Sequence, residues 1–272
     1  MKTLLAIKKL RVSVGPTVII RDLALSIAPG EFHVLMGPNG SGKSTLAYAL
    51  LGHPRYTVSA SELRFAGKNL LKLSTDRRAQ LGMFLGFQYP LALSGVSLST
   101  LISEMMRSEK PQKTSGTHLS LASAMSQEQR QAADAVRAQT SELLPRLGLA
   151  EDILYRSLND GFSGGEKKKA EIIQLFAAQP RLAILDEPDS GLDIDALKGI
   201  ANAIGEAHRA GTSVLLITHY TRILQYLKPD RVHVMDRGTI VRSGSPELAH
   251  EIEQRGYTRL PKTKKYAVAH KR

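Results

Sequence analysis

The sequence predicts an α/β fold, a mostly parallel sheet interrupted by a helical insert. Three observations lead there. Short apolar runs that read as buried strands, Val34–Met36, Leu182–Leu185 and Val214–Ile217, stand apart with helix-length stretches between them. A glycine-rich turn joins the first of these runs to a helical stretch, Thr45–Leu51. From about Gln88 to Phe162 the chain changes to helices and polar loops, and the αβ alternation returns at Ser163.

Taken in chain order, Leu10–Val14 and Leu23–Ile27 alternate with period two, and Pro29-Gly30 marks a turn. Val34–Met36 is apolar throughout, as a strand covered on both faces requires. Glu62 to Lys68 reads as a further strand and turn. Within the insert, Lys110 to Thr117 has the composition of a surface loop, and Ser126 with Gln129 forms a capping-box pair. Val136, Thr140, Leu143 and Leu147 then keep helical spacing, with Pro145 set to kink the end and Gly148 to stop it. Ser163 and Glu166 form a second capping box, so a helical run from Lys167 to Ala178 should begin at that cap. Another helix is expected near Ile194–Arg209, and no internal repeat is visible. The division this suggests is a core of residues 1–87 and 163–246, an insert of 88–162 and a C-terminal extension of 247–272 with a basic tail.

Composition narrows the function classes. A chain of 272 residues that is 42% hydrophobic can bury a sizeable core as one α/β domain with an inserted subdomain. No apolar run approaches the roughly 20 residues that span a bilayer, and the start, Met1 to Lys9, meets charge before it could form a signal-peptide core. A cytoplasmic protein without membrane insertion is expected. The absence of cysteine excludes disulfides, thiolate metal sites and any iron–sulfur cluster held by this chain's own sulfurs. The net charge of +12 reads as a solvated basic surface or as a face for an acidic partner. Nucleic acid is not the expected one: basic residues are scattered apart from Lys167-Lys168-Lys169 and the tail Lys262-Thr263-Lys264-Lys265 with Lys271-Arg272, and aromatics are only 5%, too few for stacking platforms.

The chemistry sits in two places. Gly37-Pro38-Asn39-Gly40-Ser41-Gly42-Lys43-Ser44 fills every fixed position of the phosphate-binding loop G-x-x-x-x-G-K-[ST], between a strand and a helix. Glycines let the backbone wrap the phosphates, and amides and the positive helix end meet their charge. Lys43 should reach the β- and γ-phosphates of ATP, and the Ser44 hydroxyl should sit on Mg2+. Downstream, a buried strand pushes Asp186 and Glu187 out of its C-terminal end. Asp186 is placed to hold the ion or one of its waters. Glu187 can orient and polarise the attacking water as a general base. Ser163-Gly164-Gly165-Glu166, at the start of its helix, offers free amides and a hydroxyl to an anion.

The phosphate loop, Gln88, Ser163-Gly164-Gly165-Glu166, Asp186-Glu187, Ser190-Gly191-Leu192-Asp193 and His219 occur in the order that marks ATP-binding-cassette ATPases, and the chain resembles that family. The resemblance implies the P-loop NTPase fold of that type, with an N-terminal antiparallel β region and the inserted helical subdomain, and it counts Thr45 with the loop among the nucleotide-binding residues. It implies that two chains sandwich two ATPs, each offering Ser163, Gly164, Gly165 and Glu166 to its partner's γ-phosphate. Gln88 would sense the metal and the attacking water, His219 would contact the γ-phosphate, and Asp193 would couple the two sites.

Phe87-Gln88-Tyr89-Pro90, Gly161 to Lys169, Asp189 to Lys198, Thr218 to Leu224, Lys228 to Val234 and Arg255-Gly256-Tyr257 narrow the likeness, from about Leu5 to Leu260, to the SufC family, the soluble ATPases of iron–sulfur cluster assembly. Such a protein would work on SufB- and SufD-like scaffolds, docking through the residues around Gln88 and the insert. The alternative is the nucleotide-binding subunit of a membrane importer. Pro188 points that way, since SufC proteins usually carry a small polar or aliphatic residue there. Val12 and Val14 occupy the region where many cassette ATPases stack adenine on an aromatic ring.

Overall fold

The computed structural model describes residues 3–108 and 140–257, with Asp134 and Ala138 between them. The chain forms two compact units, one of Met1–Gln88, Pro180–Ser190 and Ala201–Arg272, the other of Tyr89–Gln179 and Gly191–Ile200.

The first unit holds two sheets. The N-terminal one is antiparallel: Leu5–Val14 pairs with Thr17–Ile27 on one side and with Thr57–Ser59 and Glu62–Phe65 on the other, and Lys68–Asn69 closes the edge. Both period-two runs extend N-terminally beyond the alternation that announces them, because Leu5–Ile7 and Thr17–Ile20 also find cross-strand partners. The larger sheet runs Met83–Gly86, Leu182–Asp186, Ser213–Ile217, Phe32–Met36, Arg231–Asp236, Thr239–Gly244 from edge to edge. Its first five strands are parallel and the last is antiparallel. Phe32–Met36, Leu182–Asp186 and Ser213–Ile217 are buried at every residue, which is why they read as unbroken apolar runs. Parallel strands send their carboxyl ends to one edge, so the loops after Met36, Asp186 and Ile217 emerge together.

The helix Lys43–Leu51 is buried at Leu46, Ala47, Ala49, Leu50 and Leu51 and ends at Gly52, whose φ of 81° suits only glycine. Arg78 closes that end. Its buried guanidinium donates to the carbonyls of Ala49 (2.9 Å), Leu50 (2.7 Å), Leu70 (2.7 Å) and Leu73 (3.0 Å), answering orphan carbonyls and the negative helix end at once. Between neighbouring strands runs a buried polar chain: Glu31 to His33 Nε2 (3.0 Å), His33 Nδ1 to His233 Nε2 (3.0 Å), His233 Nδ1 to the Ser243 hydroxyl (2.7 Å). Each donor meets an acceptor with both rings neutral, and burial holds the His233 pKa down to about 3.

In the second unit the helices Leu98–Ser108 and Gly164–Ala178 pack together. Leu93–Ser97 pairs with Ser157–Leu158 as a small antiparallel ladder in a region expected to hold only helices and loops. Thr140 and Leu143 are buried on helical residues 140–146, Leu147 is buried in the turn after them, and Gly148, at φ 62°, follows. The helix Gly164–Ala178 begins at the Ser163 cap, where the second capping box sets it, with Gly164 to Glu166 as its first residues. Because that helix packs on Leu98–Ser108, the unit continues to Gln179, past the end at 162 that composition suggested. The Lys110–Thr117 loop, the Ser126/Gln129 pair, Val136 and the basic tail lie outside the described residues. Among the described residues, no helix is long and apolar enough to cross a membrane.

Candidate nucleotide site

The phosphate loop leaves the central strand Phe32–Met36 and enters the helix Lys43–Leu51. Gly37 has φ 154°, and a Cβ there would lie 2.1 Å from the Met235 carbonyl oxygen. Gly42 is the helix N-cap at φ 106°, and no side chain caps this helix. Its first turn is therefore available to an external anion. The Gly238 amide donates to the Ser41 carbonyl at 2.9 Å and holds the loop from the side. The Ser41 hydroxyl is buried and has no hydrogen-bond partner among the described residues.

Lys43 is 5% exposed, and its ammonium donates to the loop's own carbonyls at Gly37 (2.8 Å) and Pro38 (3.1 Å). Burial pushes its pKa down, and the negative charges of Glu187 and Asp186 oppose that shift. The cation expected to meet phosphate thus already feels both acids of the second motif.

Asp186 ends the strand Leu182–Asp186 and is 2% exposed. Glu187 follows in a left-handed backbone conformation (φ 50°), which turns the chain so that its amide bonds the Ile217 carbonyl of the next strand at 2.8 Å. Its carboxylate gathers two of the residues the sequence singles out. Gln88 Nε2 donates to Glu187 Oε2 at 2.7 Å, and His219 Nδ1 lies 3.1 Å from Glu187 Oε1. Residues 99 and 32 positions away in sequence meet on one carboxylate that is 7% exposed.

The remaining predicted residues belong to the second unit. The capping box is present: the Glu166 amide donates to the Ser163 hydroxyl (3.2 Å) and the Ser163 amide to the Glu166 carboxylate (2.7 Å). The Ser163 amide bond, first among the causes, holds the Glu166 pKa below its ordinary value, and Arg156, 3.3 Å away, acts the same way. The anion-binding surface suggested by the sequence therefore narrows to the Gly164 and Gly165 amides and the Ser163 hydroxyl. Neither glycine is required by the fold. Neither has a positive φ, a Cβ at Gly164 would meet nothing within 4 Å, and one at Gly165 would make an ordinary 3.8 Å contact with Leu192. Asp193 accepts from the Ala196 amide at 2.7 Å and so caps the helix Ile194–Arg209, a local role beside the coupling role expected of it.

Sequence reasoning missed Asp189 and Thr218. Asp189 is fully buried and its carboxylate accepts from the Thr218 hydroxyl (3.1 and 2.9 Å to its two oxygens). Asp189 is one of several acids between Asp186 and Asp195, and nothing local in the sequence sets it or Thr218 apart.

A family model described as ABC transporter matches residues 20–190. The "Probable ATP-dependent transporter SufC" of Escherichia coli (strain K12) is 44% identical over 93% of this chain and 97% of its own length. The "Probable ATP-dependent transporter ycf16" of Pyropia yezoensis is 42% identical over 96% and 99%, and the "Vegetative protein 296" of Bacillus subtilis (strain 168) 42% identical over 93% and 91%. Among solved structures, an ATP-binding subunit of an ABC transporter superposes with a TM-score of 0.71 at 23% identity, over 93% of this chain and 95% of that one. A dimeric cassette, MJ0796 bound to ADP and Pi, gives 0.69 at 21% identity over 89% and 98%. At those identities the two structures speak to the fold.

Proposed function

The chain belongs to the ATP-binding-cassette family, in the branch whose members carry the names SufC and ycf16, and from that premise we propose that it powers iron–sulfur cluster assembly on a partner scaffold. It is an ATPase of the cassette type. The observation that carries the reading of its site is the meeting of Gln88 and His219 on Glu187.

ATP lays its phosphates along Gly37 to Ser44, with Thr45 in the same helical turn, and Lys43 exchanges the Gly37 and Pro38 carbonyls for phosphate oxygens. The buried, unbonded Ser41 hydroxyl supports a ligand in that cradle. The residues present also fit Mg2+. The Ser44 hydroxyl, the Asp186 carboxylate and Gln88 are hard oxygen donors, and no cluster of three His, Cys, Asp or Glu side chains among the described residues forms an all-protein cage. Such a set suits an ion that completes its shell with water and phosphate. These residues would hold Mg2+, whose charge would offset that of the phosphate oxygens. Glu187 accepts the proton of the attacking water. Its carboxylate has acceptor positions beyond those used by Gln88 and His219. His219, held beside Glu187, contacts the γ-phosphate in this reading.

Two copies close on two ATPs, with Ser163, Gly164 and Gly165 of each chain completing the other's site, Glu166 holding that helix start in shape through its capping box, and Asp193 coupling the two sites. Glycines that the chain's own fold does not require support a close approach from outside it. SufB- and SufD-like scaffolds receive the motion, and a chain without cysteine leaves the cluster to them. A membrane-importer role is the second reading, favoured by Pro188 and by the word "transporter" in the relatives' names.

Glu187→Gln should retain ATP, lose about 10²–10⁴-fold in turnover and accumulate as a closed dimer on size exclusion. Wild-type turnover in that variant would remove Glu187 from the role of base. An anaerobic tagged pull-down separates the partner readings: SufB- and SufD-like proteins in the eluate support cluster assembly, whereas a multi-span membrane protein makes the chain a transporter motor.

A further inference from the structure

The turn after Asp186 and the turn after Ile217 carry Glu187 and His219, and a second connection runs beneath them. Asp189 and Thr218 are both fully buried, 29 residues apart, and bonded through the Thr218 hydroxyl. That hydroxyl also accepts from the Tyr220 amide at 3.0 Å, so it fixes the backbone on both sides of His219. Arg222 donates to the Asp189 carbonyl at 3.2 Å and lies over the Tyr220 ring, 5.4 Å from its centroid. The Tyr220 ring in turn rests against the His219 imidazole at 3.9 Å between centroids. On the other turn, Ser190 donates to the Glu187 carbonyl through its amide (3.3 Å) and its hydroxyl (3.1 Å), so Asp189 is pinned within the turn that presents Glu187.

We propose that Asp189 and Thr218 are positioning residues that latch the Glu187 turn to the His219 turn and so set the reach of Glu187 and His219 toward the reacting phosphate. The proposal rests on the reading that those two residues act on ATP. A fully buried carboxylate with a hydroxyl as its partner is a poor choice for stability, since burial alone disfavours its charge. An apolar pair would hold the two loops together by packing. A hydrogen bond fixes distance and direction instead, and a misplacement of about 1 Å lowers turnover by up to roughly 10²-fold.

The test is steady-state ATP hydrolysis by the full chain with its scaffold partners. Thr218→Val, which keeps shape and loses the hydroxyl, should lower kcat at least about tenfold and leave KM for ATP within about twofold. Thr218→Ser should recover kcat to within about threefold of wild type. In a His219→Ala background, Thr218→Val should cost a smaller factor than in wild type, because the part of the latch that acts through His219 is already gone and only the part through Glu187 remains. If Thr218→Val leaves Asp189 stranded and the chain unfolds, the paired variant Asp189→Leu/Thr218→Val restores an apolar fit and should still show the kcat loss. Wild-type kcat in a folded Thr218→Val or in the paired variant would overturn the latch, as would an undiminished loss in the His219→Ala background. A wild-type chain that does not hydrolyse ATP would instead overturn the underlying reading.

Discussion

Two helix N-termini in this molecule carry glycine-rich sequences suited to phosphate, and the protein treats them oppositely. The helix Lys43–Leu51 begins at Gly42 with no side-chain cap, a buried unbonded Ser41 hydroxyl and an ammonium resting on the loop's own carbonyls. The helix Gly164–Ala178 begins at Ser163 with a complete capping box. The first has no such cap, which suits the phosphate site proposed there. The second is finished by its own residues and is stable before any phosphate arrives. The contrast suits the proposed division of labour, in which one end captures ATP within the chain and the other engages only when a second copy brings ATP to it.

The largest expected effect removes the charge at the open end. Lys43→Ala should weaken ATP binding by at least about 100-fold, near 2.7 kcal/mol, measured by isothermal titration. Circular dichroism should still show a folded chain. Retained affinity would break the contrast at its first term, since the open helix start would then not be what holds the nucleotide.

Next in size are matched glycine substitutions. Gly37→Ala places a Cβ against the Met235 carbonyl at 2.1 Å and requires a φ of 154° from alanine, so it should cost about 1–3 kcal/mol of stability and the nucleotide site with it. Gly164→Ala meets open space with no positive φ, and in a helix alanine is favoured by up to about 1 kcal/mol. It should raise the melting temperature and at the same time lower ATP-dependent dimerisation. A Gly164→Ala chain that is more stable and dimerises like wild type would show that the second helix end meets no phosphate.

The same contrast explains what the sequence disclosed. The phosphate loop is contiguous and its chemistry is mostly backbone, so eight neighbouring residues suffice to recognise it; the capping box is just as local. The buried strands were legible because parallel strands covered on both faces leave unbroken apolar runs. The edge strands Met83–Gly86 and Thr239–Gly244 are short or mixed in polarity and gave no such signal. The family's order of motifs singled out Gln88, Glu187 and His219 one by one but not their meeting, since no periodicity brings residues 99 and 32 apart onto one carboxylate. The Asp189–Thr218 bond and the His33–His233 chain, whose rings are 200 residues apart, depend wholly on strand register.

The smallest expected effect is one of pH, and it belongs to the capped end alone. Glu166 is held below its ordinary value of 4.5 first by the Ser163 amide, then by the Ser163 hydroxyl and Arg156. A depressed carboxylate binds fewer protons in the folded chain than in the unfolded one, so its stabilisation is complete above 4.5 and is lost as pH falls through the lower folded value. Glu166→Gln keeps an oxygen for the Ser163 amide and removes the charge. At neutral pH it should therefore lower stability by no more than about 1 kcal/mol, reduced further by solvent screening. Below pH 4.5 the two chains should converge in melting temperature. The helix Lys43–Leu51 has no acidic residue in its first turn, so its start offers no comparable titration. Melting curves of wild type and Glu166→Gln that stay parallel from pH 7 to pH 3 would mean that the carboxylate's charge does not finish the second helix, and that the capped end holds through the Ser163 hydroxyl alone.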